Sequence, residues 1–141
     1  MNHQIILGFD FGLKRIGVAT GQIITCTATP LTTLAAEHGE PSWEQISKLI
    51  KEWGASILLV GLPFHLNGSP QKIMLAAEAF AKQLQERFQL PTYMHDERFS
   101  TKEARADIFE RGGYKQLKKT KIDAVAAQKI LESWMRTHEP F

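Results

Sequence analysis

The chain predicts a mixed α/β fold, in which a sheet of three antiparallel strands plus two parallel strands is flanked by helices. Three observations predict it. Apolar segments at 5–11 and 15–20 are separated by a short glycine-containing turn, as in a hairpin. Apolar residues recur at helical spacing over 43–53, 73–88 and 123–134. Short apolar runs at 57–60 and 91–94 enclose one of these helical segments, and strands joined through a helix run parallel.

Taken in order, Ile5 to Phe11 reads as a central strand, Gly12-Leu13-Lys14 as a turn, and Arg15 to Thr20 as the returning strand. Gly21-Gln22 opens a second turn, and Cys26 to Leu31 completes an antiparallel meander. Glu37 to Pro41 is expected to be a loop. Ser42 and Gln45 fit a capping box, and Trp43, Ile46, Leu49, Ile50 and Trp53 form the apolar stripe of a helix that Gly54 ends. Ile57 to Val60 has the unbroken apolar character of a strand covered on both faces. A loop over Gly61 to Ser69 leads to a helix from about Pro70, with Ile73, Ala76, Ala77, Phe80, Leu84 and Phe88 on one face. Pro91 to Met94 is the next strand. Ser100 with Glu103 opens a further helix that stops at Gly112-Gly113, and the last helix runs from about Thr120 to Arg136.

The length of 141 residues suits one domain, 1–141, with a core large enough to fold without disulfides or structural metal. Cys26 is the single cysteine, so no intrachain disulfide forms, and a buried or half-buried thiol in a reducing cytoplasm is expected. No apolar run approaches the ~18 residues of a membrane span. The N-terminal segment has no basic leader and meets Asp10 soon after Ile5, so a signal peptide is not expected. A cytoplasmic protein without a membrane partner is the resulting expectation. The net charge of +2 neither demands nor excludes nucleic acid.

Three acids carry the chemistry. Asp10 interrupts an apolar strand, sharing a face with Gly8 and Gly12, whose missing side chains leave room for backbone or ligand to approach. Glu97 follows a short apolar segment within His95-Asp96-Glu97-Arg98, and the spacing does not say which of the two acids points inward. Asp123 shares a helix stripe with Ala126, Ala127, Ile130, Leu131 and Trp134. Each acid has a plainer reading: a hairpin cap at Asp10, a solvated loop at Glu97, and a first-turn capping acid at Asp123 behind Thr120. Together they describe a divalent-metal site. Two like charges ~4 Å apart repel by about 4 kcal/mol at an effective dielectric of ~20, and magnesium or manganese removes that penalty while keeping positions for phosphate and water. Phosphodiester cleavage is the corresponding chemistry.

Basic residues lie near the third acid. Arg111 to Lys121 carries five basic residues and no acid, among them Lys115, Lys118, Lys119 and Lys121. A solvated surface stretch is the plain alternative to phosphate contact. Lys14, Arg15, Lys72, Arg98 and Arg105 extend the candidate nucleic-acid surface. Asn67 and Ser69, between a buried strand and a helix N-terminus, supply further phosphate donors. A Walker loop is excluded, because Gly-Lys-Ser/Thr is missing.

The stretches GFDFGLKRIGVA at 8–19, VGLPFHLNGS at 60–69, DERFSTKEAR at 96–105, GGY at 112–114 and KIDAVAAQKIL at 121–131 resemble the YqgF-type family of Holliday-junction-resolvase-like proteins, also called pre-16S rRNA nucleases. The resemblance spans nearly the whole chain. It implies a ribonuclease H-like fold, Asp10, Glu97 and Asp123 as catalytic and metal-binding acids, and a role in maturing the 5′ end of pre-16S rRNA, with the ribosomal small subunit as a partner. Leu13 departs from the polar residue that the family usually carries there, which affects the turn and leaves the acids intact.

Junction resolution ordinarily needs two paired sites, whereas one site suffices for an RNA leader. No separate dimerisation element is visible, and both a monomer and a weak homodimer remain open. A sugar-kinase-like phosphotransferase also uses Asp-x-Gly after a strand, but needs two such domains. A non-catalytic nucleic-acid or ribosome-binding module is the remaining alternative, disfavoured by the presence of all three acids.

Overall fold

The computed structural model of the protein describes residues 4–62, 70–96 and 119–137. Its strands are β1 (Ile5–Asp10), β2 (Arg15–Gln22), β3 (Thr27–Glu37), β4 (Glu40–Pro41), β5 (Ile57–Leu62) and β6 (Thr92–Asp96). The helices among these residues are α1 (Trp43–Trp53), α2 (Pro70–Phe88) and α3 (Lys119–Thr137). The sheet order is β4-β3-β2-β1-β5-β6. β1, β2 and β3 form an antiparallel meander, and β1, β5 and β6 run parallel.

Strand alternation divides the interior into two layers. Leu7, Phe9, Phe11, Ile16, Val18, Leu58 and Val60 turn to the face covered by Ile46 of α1 and by Ile73, Ala77, Phe80 and Leu84 of α2. Phe80 is the centre of this layer, with ring contacts to Phe9 at 5.6 Å, Phe11 at 5.3 Å and Trp43 at 5.6 Å. Ile6, Ala19 and Leu59 turn to the other face, against Ala127, Ile130, Leu131, Trp134 and Met135 of α3. The α2 stripe read from the sequence is the buried one.

Helix α1 begins and ends as its sequence requires. The Ser42 hydroxyl accepts a hydrogen bond from the Gln45 N–H at 3.4 Å, and Gly54 closes the helix in the left-handed region at φ 63°. Trp53 differs from expectation: it is an exposed side chain at the edge of the stripe.

Other boundaries also shift. β2 runs through Gly21-Gln22, and the turn falls at 23–26. β3 extends to Glu37, well past Leu31. The expected loop at 37–41 is a tight hairpin to β4, in which His38 (φ 54°) and Gly39 (φ 84°) both take positive φ, the backbone that matches sheet twist in a two-residue turn. Gly61 and Leu62 continue β5, and β6 reaches Asp96. The expected helix over 100–112 lies outside the described residues.

Candidate active site

Asp10 is the last residue of the most central strand. It pairs with Gly17 of β2 on one side and Gly61 of β5 on the other, and Gly61 pairs with His95 of β6. Residues directly opposite one another share a sheet face, so this row presents Gly17, Asp10, Gly61 and His95 to α3. The Phe11 N–H donates to the Gly61 carbonyl at 3.1 Å, so backbone pairing continues past Asp10. Asp10 is 8% exposed, with carboxylate Oδ1 withdrawn from solvent.

The glycines around Asp10 bring the helix down onto the sheet. A Cβ on Gly8 would lie 2.5 Å from Leu131 Cγ, and one on Gly61 would lie 2.5 Å from Ile130 Cδ1. At Gly17 the obstacle would be the backbone carbonyl of Asp123 itself. The room beside Gly8 is thus filled by α3, and that beside Gly12 by the Arg15 carbonyl, 2.5 Å from where a Cβ would stand. Of the two occupants expected from the pattern around Asp10, backbone or ligand, Gly12 meets backbone, while Gly8 meets the Leu131 side chain of α3.

Asp123 comes to the same place from the helix. Since α3 starts at Lys119, Asp123 is its fifth residue, and the reading of Thr120 as N-cap with Asp123 at N3 does not hold. Its carboxylate instead faces the hairpin, with Oδ2 3.1 Å from Arg15 Nε. Oδ2 is withdrawn from solvent. The Asp123 side chain is 23% exposed and that of Arg15 48%. Asp10 and Asp123 therefore flank one glycine, Gly17, with Arg15 at the outer side.

His95 joins this face through a hydrogen bond between Nε2 and the Ser133 hydroxyl at 3.2 Å. Ser133 is buried, and the neighbouring Tyr93 and Trp134 rings lie 5.5 Å apart. Sequence reasoning assigned His95 no role, and Ser133 was missed. A serine amid an apolar helix stripe was the available sign, since a buried hydroxyl needs a partner.

Lys14 is exposed at the β1–β2 turn, and its carbonyl accepts from the Ala36 N–H at 2.9 Å. Leu13 leans on the α1/α2 layer and its carbonyl accepts from the Gly39 N–H at 2.8 Å, so an apolar residue there packs the turn onto the β3–β4 hairpin. Glu97, Asn67, Ser69, Arg98, Lys115 and Lys118 lie outside the described residues, as do the side chains of Lys119 and Lys121. Among the described residues, no three of His, Cys, Asp and Glu gather as a metal-ligand group.

Known proteins match this chain along its length. The sequence model of the RuvX family, described as Holliday junction resolvase, matches residues 4–137. A relative from Legionella pneumophila named "Putative pre-16S rRNA nuclease" is 50% identical over 139 residues, covering 99% of this chain and 100% of its own. One of the same name from Sodalis glossinidius is 52% identical over 130 residues, 92% of each chain. Among solved structures, Thermus thermophilus RuvC in complex with a Holliday junction substrate superposes with a TM-score of 0.56 at 15% identity, covering 96% of this chain and 95% of that one. The yeast mitochondrial Holliday junction resolvase gives 0.54 at 11% identity, covering 93% and 77%. These likenesses agree with the sheet order in giving a ribonuclease H-like fold, and with its match over 4–137 the chain belongs to the RuvX family.

Proposed function

We propose that the protein is a metal-dependent nuclease that hydrolyses phosphodiester bonds in the 5′ leader of pre-16S rRNA, acting as one cytoplasmic domain over 1–141. The observation that carries this reading is the convergence of two acids, Asp10 from the central strand and Asp123 from α3, on the two sides of Gly17. Asp10 Oδ1 and Asp123 Oδ2 are both withdrawn from bulk water, and oxygen donors of this kind suit magnesium or manganese. The nuclease assignment draws on the family and on the names of relatives that match nearly end to end. No helix among the described residues is long and apolar enough to cross a membrane.

Glu97 is proposed as the third acid. The choice of Glu97 over Asp96 rests on the resemblance of DERFSTKEAR at 96–105 to the family. Bound divalent ions would supply Lewis acidity to the scissile phosphate and activate a water for attack. Asp10 would hold the metal from the most constrained strand, and Asp123 and Glu97 would orient the water and complete the ligand set. Lys14, Arg15, Asn67, Ser69, Arg98, Lys115, Lys118, Lys119 and Lys121 are proposed to hold the nucleic-acid backbone, with the ribosomal small subunit as the setting.

Resolution of a four-way DNA junction is the second reading, favoured by the family description and by the junction-bound structural neighbour. The deciding assay offers end-labelled precursor rRNA leader, unstructured RNA and a DNA four-way junction to wild type and Asp10→Asn, with magnesium, manganese or chelator. Metal-dependent cutting by wild type alone is expected, strongest on the leader. Preferential paired cutting of the junction would replace the substrate assignment. Binding without cutting would overturn the nuclease reading in favour of a binding module.

A further inference from the structure

We infer that Arg15 is an exchangeable counter-ion of Asp123: it pairs with the carboxylate in the metal-free protein and turns to a substrate phosphate once a divalent cation has taken that carboxylate. The inference rests on the metal-dependent nuclease reading and adds a coupling between its two ligands.

The geometry supplies both halves of the exchange. Arg15 opens β2 as Asp10 closes β1, so both lie at the same end of the sheet. Its backbone is fixed by pairing with Ala35 and by the close approach of Gly12 to its carbonyl. Its side chain is different: it is 48% exposed and reaches the more buried Asp123 carboxylate through Nε at 3.1 Å. The half-exposed guanidinium can trade that partner for water or phosphate, and a cation bound at Asp123 would compensate the carboxylate it leaves. A divalent ion on Asp123 would stand within a few ångströms of the guanidinium, and the two cations repel. The planar guanidinium suits a phosphate, which it can grip through two parallel N–H bonds.

Linkage follows from this arrangement. Arg15 opposes the metal while substrate is absent and holds substrate once the metal is present. Metal and nucleic acid therefore favour each other's binding, by the same factor in each direction. A residue that only tethered α3 to β2 would produce no such coupling, and neither would one that only touched phosphate.

The test is calorimetric titration of Mn²⁺ into full-length wild type, Arg15→Gln and Arg15→Lys, each with its melting curve. Nucleic-acid affinity is then measured with and without Mn²⁺, on whichever of the rRNA leader and the four-way junction wild type binds. Arg15→Gln should bind Mn²⁺ about five-fold or more tightly than wild type, the factor expected of a unit charge a few ångströms away even in water. It should bind nucleic acid more weakly, and Mn²⁺ should strengthen that binding by a smaller factor than in wild type. Arg15→Lys, which keeps the charge, should stay near wild type in Mn²⁺ affinity. Unchanged or weaker Mn²⁺ binding by Arg15→Gln overturns the exchange while leaving the nuclease reading intact. Absence of Mn²⁺ binding by wild type itself overturns both, and the wild-type titration alone tells the two failures apart.

Discussion

The backbone carbonyl of Asp123 rests over the Cα of Gly17, at a separation that leaves no room for a side chain. Gly17 is also the strand partner of Asp10. One residue without a Cβ thus sets both the height of α3 above the sheet and the approach of two acids to each other. Gly17→Ala has to lift the helix, because backbone rather than a flexible side chain blocks it. A loss of about 1–3 kcal/mol in urea denaturation is expected. Cleavage should fall further than the unfolded fraction explains, since Asp123 moves with the helix.

Gly61→Ala presents the same collision with a softer neighbour. The new methyl would meet the Ile130 side chain, with Cδ1 at 2.5 Å. Shortening that side chain in Gly61→Ala/Ile130→Val should recover part of the lost stability, giving a coupling of about 0.5–3 kcal/mol in a double-mutant cycle. Additive losses in urea melts would show that the methyl is accommodated elsewhere. No trimming of a side chain should rescue Gly17→Ala.

Asp10→Asn should fold and lose metal-dependent cutting. A neutral amide is less costly to bury than a charged carboxylate, so the melting temperature without metal should match or exceed that of wild type. Wild type should gain thermal stability on adding Mn²⁺, because ligand binding to the folded state raises its stability, and Asp10→Asn should not. Differential scanning calorimetry with and without Mn²⁺ reads both effects.

His95 and Ser133 tie the edge strand to α3 through their 3.2 Å contact. A cycle of His95→Ala, Ser133→Ala and the double variant should return a coupling of about 0.5–1.5 kcal/mol, the usual net worth of one hydrogen bond. A coupling near zero would mean that neighbouring contacts, including the Tyr93–Trp134 ring pair, hold the strand without it.

The parts of the fold legible in sequence were those with a strong local cause. Ile5 to Phe9 is apolar on both faces because β1 is hydrogen-bonded on both sides and covered by helices on both faces. Ser42 and Gly54 mark the ends of α1 through chemistry that operates within a few residues. The far half of β3 escaped notice because Thr32, Ala35 and Glu37 are exposed, with only a two-residue strand on the side away from β2, so little apolar patterning marks it. The His38-Gly39 turn escaped for a related reason: histidine rarely takes positive φ, and the hairpin is fixed by its bond to Leu13, far away in sequence.

The acids were legible as misfits, but their surroundings were not. A glycine beside an acid can make room for a ligand or for a helix, and only the packing of Leu131 and Ile130 shows that Gly8 and Gly61 do the second. Asp123 looked like a capping residue because Thr120 stands three positions before it, and the start of α3 at Lys119 removes that role. Arg15 was read as a phosphate contact from its charge. Its pairing with Asp123 joins residues more than a hundred positions apart, which local spacing cannot encode.

The sheet order has a dynamic consequence. Amides of β1, enclosed between β2 and β5, should exchange with solvent deuterium only when the whole molecule unfolds. β6 borders β5 alone in the sheet, so it can open in a smaller excursion that leaves the centre intact. The proposed catalytic acids therefore belong to parts of the chain with different lifetimes: Asp10 sits in the slowest, and Glu97 follows a strand at the edge of the sheet. Catalytic competence can come and go at that margin without global unfolding, and substrate that bridges the two would appear as slowed deuterium uptake in β6 while β1 stays unchanged.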